Sequence, residues 1–205
     1  MSHPLTYRRV FLRAAAGAAA TLIALPAVPA WAADPPAQLI LDTSVDVVEL
    51  MKAKTGIDRQ TGFQHILETR FDLPYMGQMA LGKYWDGTTP EQRVRFLKAT
   101  ASAEARAYAE RFGQYGGQSV TVNKVTPRAS GGFEVDSQIN QVNGGPPIKL
   151  KWEVQDRGNG LRITDVKVEG VSMVMTRRSD FSAYIQRNGG NAEALIQELE
   201  ARARS

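Results

Sequence analysis

The fold of this chain is organised around residues 71–92, FDLPYMGQMALGKYWDGTTPEQ. Pro74 suits the first turn of a helix, because its missing N–H would have no helical partner there in any case. Met76, Ala80 and Tyr84 then recur every fourth residue, as on one face of a helix. The pair Asp-Gly that follows Trp85 breaks this pattern. This half of the stretch therefore predicts a short apolar helix that ends abruptly.

The second half of the stretch predicts the start of a new helix. Thr89 can serve as the N-cap, Pro90 as the first helical residue, and Gln92 as the partner in a capping box. The whole stretch is thus expected to form two apolar helices that meet at a tight corner.

The first residues predict a secretory leader. Residues 1–13 are basic, residues 14–28 are apolar but too short to span a membrane, and residues 30–32 (Ala-Trp-Ala) suit a signal peptidase. Arg8-Arg9 followed by Val-Phe-Leu-Arg resembles a twin-arginine export signal, with the general secretory route as the alternative. We therefore expect a signal peptide at residues 1–32, one domain at residues 33–205, and a periplasmic location.

The charge balance argues against nucleic-acid binding. The chain has 25 basic and 21 acidic residues, but three of the basic ones, Arg8, Arg9 and Arg13, lie in the leader. Without them 22 basic and 21 acidic residues remain, which leaves little electrostatic attraction for a phosphate backbone. The absence of cysteine means that the exported domain has no disulfide and relies on its apolar core.

Helical periodicity dominates the first half of the predicted domain. Residues 35–53 and 58–71 show apolar positions at helical spacing, and the longest helix is expected at residues 90–115. The apolar stripe of that long helix consists of Val94, Leu97, Ala101, Ala105, Tyr108, Phe112 and Tyr115.

From residue 118 the apolar period changes from 3.6 to 2, which predicts strands. Short Gly-rich turns join them, so neighbouring strands should be antiparallel, with a bulge between Ile163 and Val166 where the alternation shifts phase. Val171, Met173 and Met175 are expected to extend the apolar side, and short helices should follow at residues 180–187 and 191–202. The fold class is therefore α+β: N-terminal helices packed on a twisted antiparallel meander, with short C-terminal helices, enclosing an apolar cavity.

The sequence offers little for catalysis. Its histidines are His3, in the leader, and His65, which has no nucleophile or metal-ligand pattern beside it. No phosphate-binding glycine motif follows a strand. We therefore expect no enzyme and no cofactor, although an enzyme that uses a buried Asp or Tyr inside an α+β cone remains an alternative.

Three segments resemble the MlaC family of periplasmic lipid-binding proteins, also called the toluene-tolerance family. They are ALGKYWDGTTPEQRVRF (80–96), AERFGQYGG (109–117) and DVKVEGVSMVMTRRSDF (165–181). The resemblance implies a non-enzymatic, monomeric carrier that shuttles phospholipid between an outer-membrane lipoprotein complex and an inner-membrane Mla-type ABC transporter. Some members of the family serve hopanoid pathways, so a hopanoid is the alternative ligand.

Large, adaptable side chains on the expected helix and sheet faces suit a wall that accepts irregular acyl chains. The predicted lipid-binding residues are Met76, Met79, Tyr84, Leu97, Tyr108, Trp152, Val154, Val168, Val171 and Met173. Arg177-Arg178 is either a solvated pair or a contact for the lipid headgroup. Replacing Leu97 or Val171 by a charged residue is expected to lower lipid retention.

Overall fold

The computed structural model describes residues 34–53, 55–111 and 116–204. The helices are α1 (Pro35–Ala53), α2 (Gly56–Arg70), α3 (Leu73–Leu81), α4 (Pro90–Arg111), α5 (Met173–Arg187) and α6 (Ala192–Arg204), with a 3₁₀ turn at Gly82–Tyr84. The strands are β1 (Ser119–Pro127), β2 (Phe133–Asn140), β3 (Ile148–Asp156), β4 (Leu161–Val168) and β5 (Val171–Ser172). This order of helices, meander and helices confirms the predicted α+β class. The predicted leader, Phe112 and Tyr115 lie outside the described residues.

The strands form one antiparallel sheet in the order β1-β2-β3-β4-β5. Its apolar face is continuous because the register places Trp152 of β3 between Val135 of β2 and Val166 of β4. Between Ile163 and Asp165 of β4 the register shifts by one residue, which is the predicted bulge. The bulge returns the later residues of β4 to the apolar face.

The opposite face of the sheet carries charge. Lys151 Nζ of β3 forms an ion pair with Glu134 Oε1 of β2 at 2.6 Å. The Glu153 carboxylate of β3 forms ion pairs with Lys167 at 2.8 Å and with Arg128 at 2.5 Å. Burial acts to raise the pKa of Glu153, but the hydrogen bonds from Lys167 and Arg128 outweigh it and lower that pKa. This face can therefore remain in water while the other is covered.

Helix α1 provides that cover. Its Ala37 and Ile40 are fully buried against Val135, Val154 and Ile163 of the sheet, and we call this the sheet-side cluster. Further along, Met51 of α1 packs with α2 and α4 in a second cluster. Each large apolar side chain that is fully buried in this way contributes roughly 1.5–3 kcal/mol.

A third group, the helical cluster, joins α3, α4, α5 and α6. Its fully buried members include Phe96 of α4, Ile185 of α5 and Ile196 of α6. The rings of Phe96 and Phe181 meet edge to face with centroids 5.7 Å apart, a favourable aromatic geometry. The elements that follow the sheet are thereby fastened to those that precede it.

The corner between α3 and α4 is built as the sequence predicts. The Thr89 N–H donates to Gln92 Oε1 at 3.0 Å, and the Gln92 N–H donates to Thr89 Oγ1 at 3.2 Å, which confirms the capping box. Arg93 then lies over the ring of Trp85, 4.8 Å from its centroid, and donates to the Trp85 carbonyl at 3.0 Å. These contacts hold the corner at a defined angle.

The prediction for the end of the sheet was wrong. Strand β5 has only Val171 and Ser172, and α5 begins at Met173, seven residues before its expected start at residue 180. Ser172 Oγ accepts from the Met175 N–H at 3.1 Å, and Asp165 Oδ1 accepts from the Val174 N–H at 3.2 Å. These two caps satisfy the first helical donors, so Met173 and Met175 belong to a helix and do not extend the strand.

Candidate functional site

Four of the predicted lipid-binding residues border the same buried cluster. Met76 and Met79 of α3, Tyr84 of the 3₁₀ turn and Leu97 of α4 are half-buried and pack against the helical cluster. Part of each of these large apolar side chains therefore remains exposed at the border of the cluster. We call these four side chains the α3 patch.

The position of α3 follows from contacts at its first residues. Asp72 caps the helix through Oδ1, which accepts from the Tyr75 N–H at 3.0 Å. The Asp72 N–H donates to the Ile163 carbonyl at 2.9 Å, so the start of α3 is bonded to the edge of β4. Arg157 neutralises the same carboxylate, with 2.5 Å between Nε and Oδ2. The α3 patch is therefore tied to the sheet.

The other side of α3 lies very close to α4. Gly77 is buried, and a Cβ added there would overlap the Cδ2 atom of Leu97. Only glycine allows this approach without moving Leu97. The glycine in the middle of a short helix thus sets the spacing between α3 and α4 and the position of Leu97.

Two further predicted residues belong to the sheet-side cluster. Val154 has no exposed surface and is a core residue in this structure, whereas Trp152 is half-buried. The indole Nε1 of Trp152 donates to Ser137 Oγ at 2.8 Å, which fixes the ring on the apolar face. Val168 is also half-buried and lies opposite Leu150 in the sheet.

Tyr108 of α4 packs in the second cluster, with its ring centroid 6.3 Å from that of Phe63. Burial, and then the nearby Glu104 carboxylate, raise the pKa of the Tyr108 hydroxyl. The phenol is therefore neutral at physiological pH, which suits an apolar environment.

The remaining two predicted residues stand apart. Val171 is 56% exposed at the start of β5, and Met173 is the half-buried first residue of α5. The structure therefore groups four of the ten residues in the α3 patch, two in the sheet-side cluster and one in the second cluster, and leaves Val168, Val171 and Met173 outside these groups. Their roles in lipid binding stay a prediction.

Two surface clefts add residues that sequence reasoning did not include. The larger, about 600 Å³, lies between α4, α5 and α6 with Phe181, Tyr184, Leu195 and Leu199 among its apolar residues. The smaller, about 360 Å³, lies between the 3₁₀ turn and α5. Tyr84 is the one predicted lipid-binding residue that lines either of these clefts. The sequence predicts only that Phe181 and Leu199 belong to the short C-terminal helices.

The groups that an enzyme would need have structural explanations. Asp165 is a buried carboxylate, but its Oδ1 accepts from the backbone N–H groups of Val166 and Val174 and holds the start of α5. His65 is exposed on α2. Within residues 34–53, 55–111 and 116–204, no group of three His, Cys, Asp or Glu side chains could hold a metal ion.

Comparison with known proteins assigns the family. The family model described as "MlaC protein" matches residues 41–201. The chain belongs to the MlaC family. Among curated relatives, it is 26% identical over 135 residues to the intermembrane phospholipid transport system binding protein MlaC of Haemophilus influenzae, covering 64% of this chain and 62% of that protein. It is 26% identical over 118 residues to the toluene tolerance protein ttg2D of Pseudomonas putida, covering 56% and 53%.

The match thus spans between half and two thirds of the length of these two MlaC relatives. A solved structure supports the same fold over more of the chain. The phospholipid-binding protein of Ralstonia solanacearum, determined in complex with a phospholipid, aligns with a TM-score of 0.67 and 24% identity. The alignment covers 82% of this chain and 96% of the Ralstonia protein.

Two of the segments that resemble the MlaC family contain turns with positive φ angles. Gly82 of LGKYW has φ 56° and ψ −128°, a conformation open to glycine. In VEGVS, Glu169 has φ 48° and Gly170 φ 83°, and Glu169 Oε1 accepts from the Lys149 N–H at 2.6 Å. These turns end α3 and join β4 to β5.

In the part of the chain that the structure describes, none of the helices is both long and apolar enough to cross a bilayer.

Proposed function

We propose that this protein is a periplasmic carrier that binds a phospholipid and moves it between the outer and inner membranes. The observation that carries the proposal is the α3 patch, where Met76, Met79, Tyr84 and Leu97 are left half-buried beside a well-packed core. Methionine side chains are flexible and polarizable, so they adapt to acyl chains of irregular shape.

The energetics of lipid transfer favour a carrier. Two acyl chains contain about 30 methylenes, and removing each from water is worth about 0.8 kcal/mol, or on the order of 24 kcal/mol in total. Free lipid therefore crosses an aqueous gap very slowly. A protein surface of similar apolarity makes transfer from membrane to protein nearly neutral in free energy, and hence reversible.

The partners in this proposal are an inner-membrane Mla-type transporter and an outer-membrane lipoprotein complex. The name of the Haemophilus relative supports a transport role, and the phospholipid bound to the Ralstonia protein supports the ligand class. No chemical step is required, since the lipid leaves the carrier unchanged.

The test begins with protein purified from the periplasm without detergent. Native mass spectrometry should show a bound phospholipid, and the stripped protein should take up phospholipid from vesicles. A bound hopanoid would instead select the alternative ligand of the same carrier. Protein that is lipid-free on isolation and takes up neither lipid would contradict the proposal.

A pair of variants on α4 locates the binding surface. Leu97→Glu places a charge in the α3 patch and should reduce lipid retention at least tenfold, because a carboxylate against acyl chains is poorly solvated. Val94→Glu is the matched control, since Val94 lies on the same helix and is 66% exposed. Met79→Glu serves if Leu97→Glu does not fold, as judged by circular dichroism. Equal retention by folded variants and control would contradict the location.

A further inference from the structure

Two adjacent arginines of α5 have different surroundings. Arg177 donates to Glu104 through Nε at 2.5 Å and Nη2 at 2.9 Å, and lies 3.3 Å from Asp180. These carboxylates neutralise Arg177 and raise its pKa through the hydrogen bonds to Glu104. Arg178 has no ion pair with any described residue. The sequence presents the pair as equivalent, but only Arg178 retains an uncompensated charge.

The guanidinium of Arg178 is held against Gly82. Its Nε lies 2.8 Å and its Nη2 3.2 Å from the place where a Cβ of residue 82 would stand. Any other side chain at position 82 would displace the guanidinium and would strain a backbone with φ 56°. The unpaired charge thus lies directly beside Gly82, in space that a glycine leaves open.

A second cation lines the same cleft. Lys83, which follows Gly82 in the chain, likewise has no carboxylate partner among the described residues. Its Nζ lies 5.1 Å from the centroid of the Tyr84 ring. The cleft of about 360 Å³ is lined by Leu81, Lys83, Tyr84, Met175, Arg178, Ser179 and Ser182. None of these lining residues is acidic. Two positive charges facing one cleft without a counter-ion repel each other, and an anion between them would remove that repulsion.

The hydroxyl groups of the cleft complement the cations. Ser182 Oγ accepts from Gln186 Nε2 at 3.3 Å, which leaves its proton free to donate to a ligand. Met175 is 48% exposed and Leu81 is buried, so the cleft also has an apolar side that continues into the helical cluster. A planar guanidinium, an ammonium and a hydroxyl are together well suited to the oxygens of a phosphate group.

We propose that this cleft binds a phosphate group between Arg178 and Lys83. The group has two possible sources, a free phosphate ion and the headgroup of a phospholipid whose chains lie on the α3 patch. Only the second source rests on the proposed carrier function. The experiment therefore has one arm for each source.

The first arm uses lipid-stripped full-length protein and inorganic phosphate, with chloride at equal ionic strength as the reference. Phosphate should cause saturable NMR shifts of the Gly82 amide and the Arg178 Nε–H. Arg178→Gln and Lys83→Gln should each weaken binding about tenfold or more. Arg187→Gln is the control, because Arg187 is exposed on the same helix but lines the larger cleft.

The second arm compares phosphatidylglycerol with a diacylglycerol of the same acyl chains in competition for the stripped protein. A lipid headgroup in the cleft predicts a preference for phosphatidylglycerol that Arg178→Gln removes, with diacylglycerol binding unchanged. Shifts with inorganic phosphate but no such preference would assign the cleft to the free ion. The absence of both the shifts and the preference would overturn the proposal. If neither lipid binds, the result counts against the carrier function, and the first arm still decides whether the cleft binds phosphate.

Discussion

The sheet-side cluster and the helical cluster are packed differently. The buried members of the sheet-side cluster are 0–1% exposed and include Ile40, Val135, Val154 and Ile163. The helical cluster buries Phe96 and Ile185 just as completely. Both clusters have half-buried apolar neighbours, but those of the helical cluster include methionines, whereas those of the sheet-side cluster are leucine, valine and aromatic side chains. β-Branched side chains are stiff and methionines are flexible. The comparison indicates a rigid wall that stabilises the fold and an adaptable wall that can accommodate a ligand.

The largest expected effect tests the rigid wall. Ile163→Ala removes a fully buried side chain from the bulged strand and should lower the free energy of unfolding by roughly 2–5 kcal/mol. Met79→Ala, in the adaptable wall, should cost about half of that or less because Met79 is half-buried. Urea unfolding of the lipid-free protein measures both. Equal losses would show that the two walls do not differ in packing.

The next effect tests how α3 is placed. Gly77→Ala puts a methyl group against the end of the Leu97 side chain and overpacks this contact, while alanine is about 1 kcal/mol better than glycine inside a helix. The net loss of stability should therefore be up to about 2 kcal/mol. Adding Leu97→Ala makes room for the methyl group, so the double variant should be more stable than the sum of the single losses predicts. A coupling energy near zero in this double-mutant cycle would contradict the close packing of α3 on α4.

A smaller effect concerns the first turn of α5, which connects the end of the sheet to the helical cluster. Asp165→Ala removes the acceptor for the Val166 and Val174 N–H groups and should cost about 1 kcal/mol, as the loss of a helix cap usually does. Ser172→Ala removes the neighbouring cap, so a comparable but separate loss is expected. Amide hydrogen exchange should speed up in the first turn of α5 and not in α6. Uniform acceleration throughout the protein would argue against a local cap.

The smallest effect is a dependence on pH. The pKa of Glu153 is lowered in the folded protein. The stability that the ionised carboxylate contributes is therefore present above the pKa of an unfolded Glu, about 4.3, and is lost as the pH falls through the lowered pKa. Wild type should therefore lose more stability than Glu153→Gln between pH 7 and pH 3, by less than about 1 kcal/mol. Glu110→Gln, at a side chain 67% exposed, should behave like wild type. Identical pH profiles for wild type and Glu153→Gln would contradict this assignment.

The sequence predicted best where periodicity and local chemistry agree. The capping box at Thr89 and Gln92, the bulge between Ile163 and Val166 and the covered face of the sheet were all identified correctly. Each of these features depends on neighbouring residues or on one simple alternation, so a single sequence contains the necessary signal.

The prediction failed where a distant residue determines the local structure. Val171, Met173 and Met175 alternate as in a strand, yet Asp165 and Ser172 cap a helix that begins at Met173. The cap residue Ser172 was the available local signal, whereas the contribution of Asp165 depends on the fold. Likewise, nothing in the sequence separates Arg177 from Arg178, because their different roles depend on Glu104, 73 residues away, and on Gly82.

The two caps at the start of α5 also determine how firmly that helix is held. Asp165 and Ser172 fasten its first turn to the end of the sheet. Its other end is held by Ile185, which is fully buried in the helical cluster. The 15 residues of α5 extend for about 22 Å, at 1.5 Å per residue. The helix is therefore anchored at both ends, and Arg177 and Arg178 lie between the two anchor points.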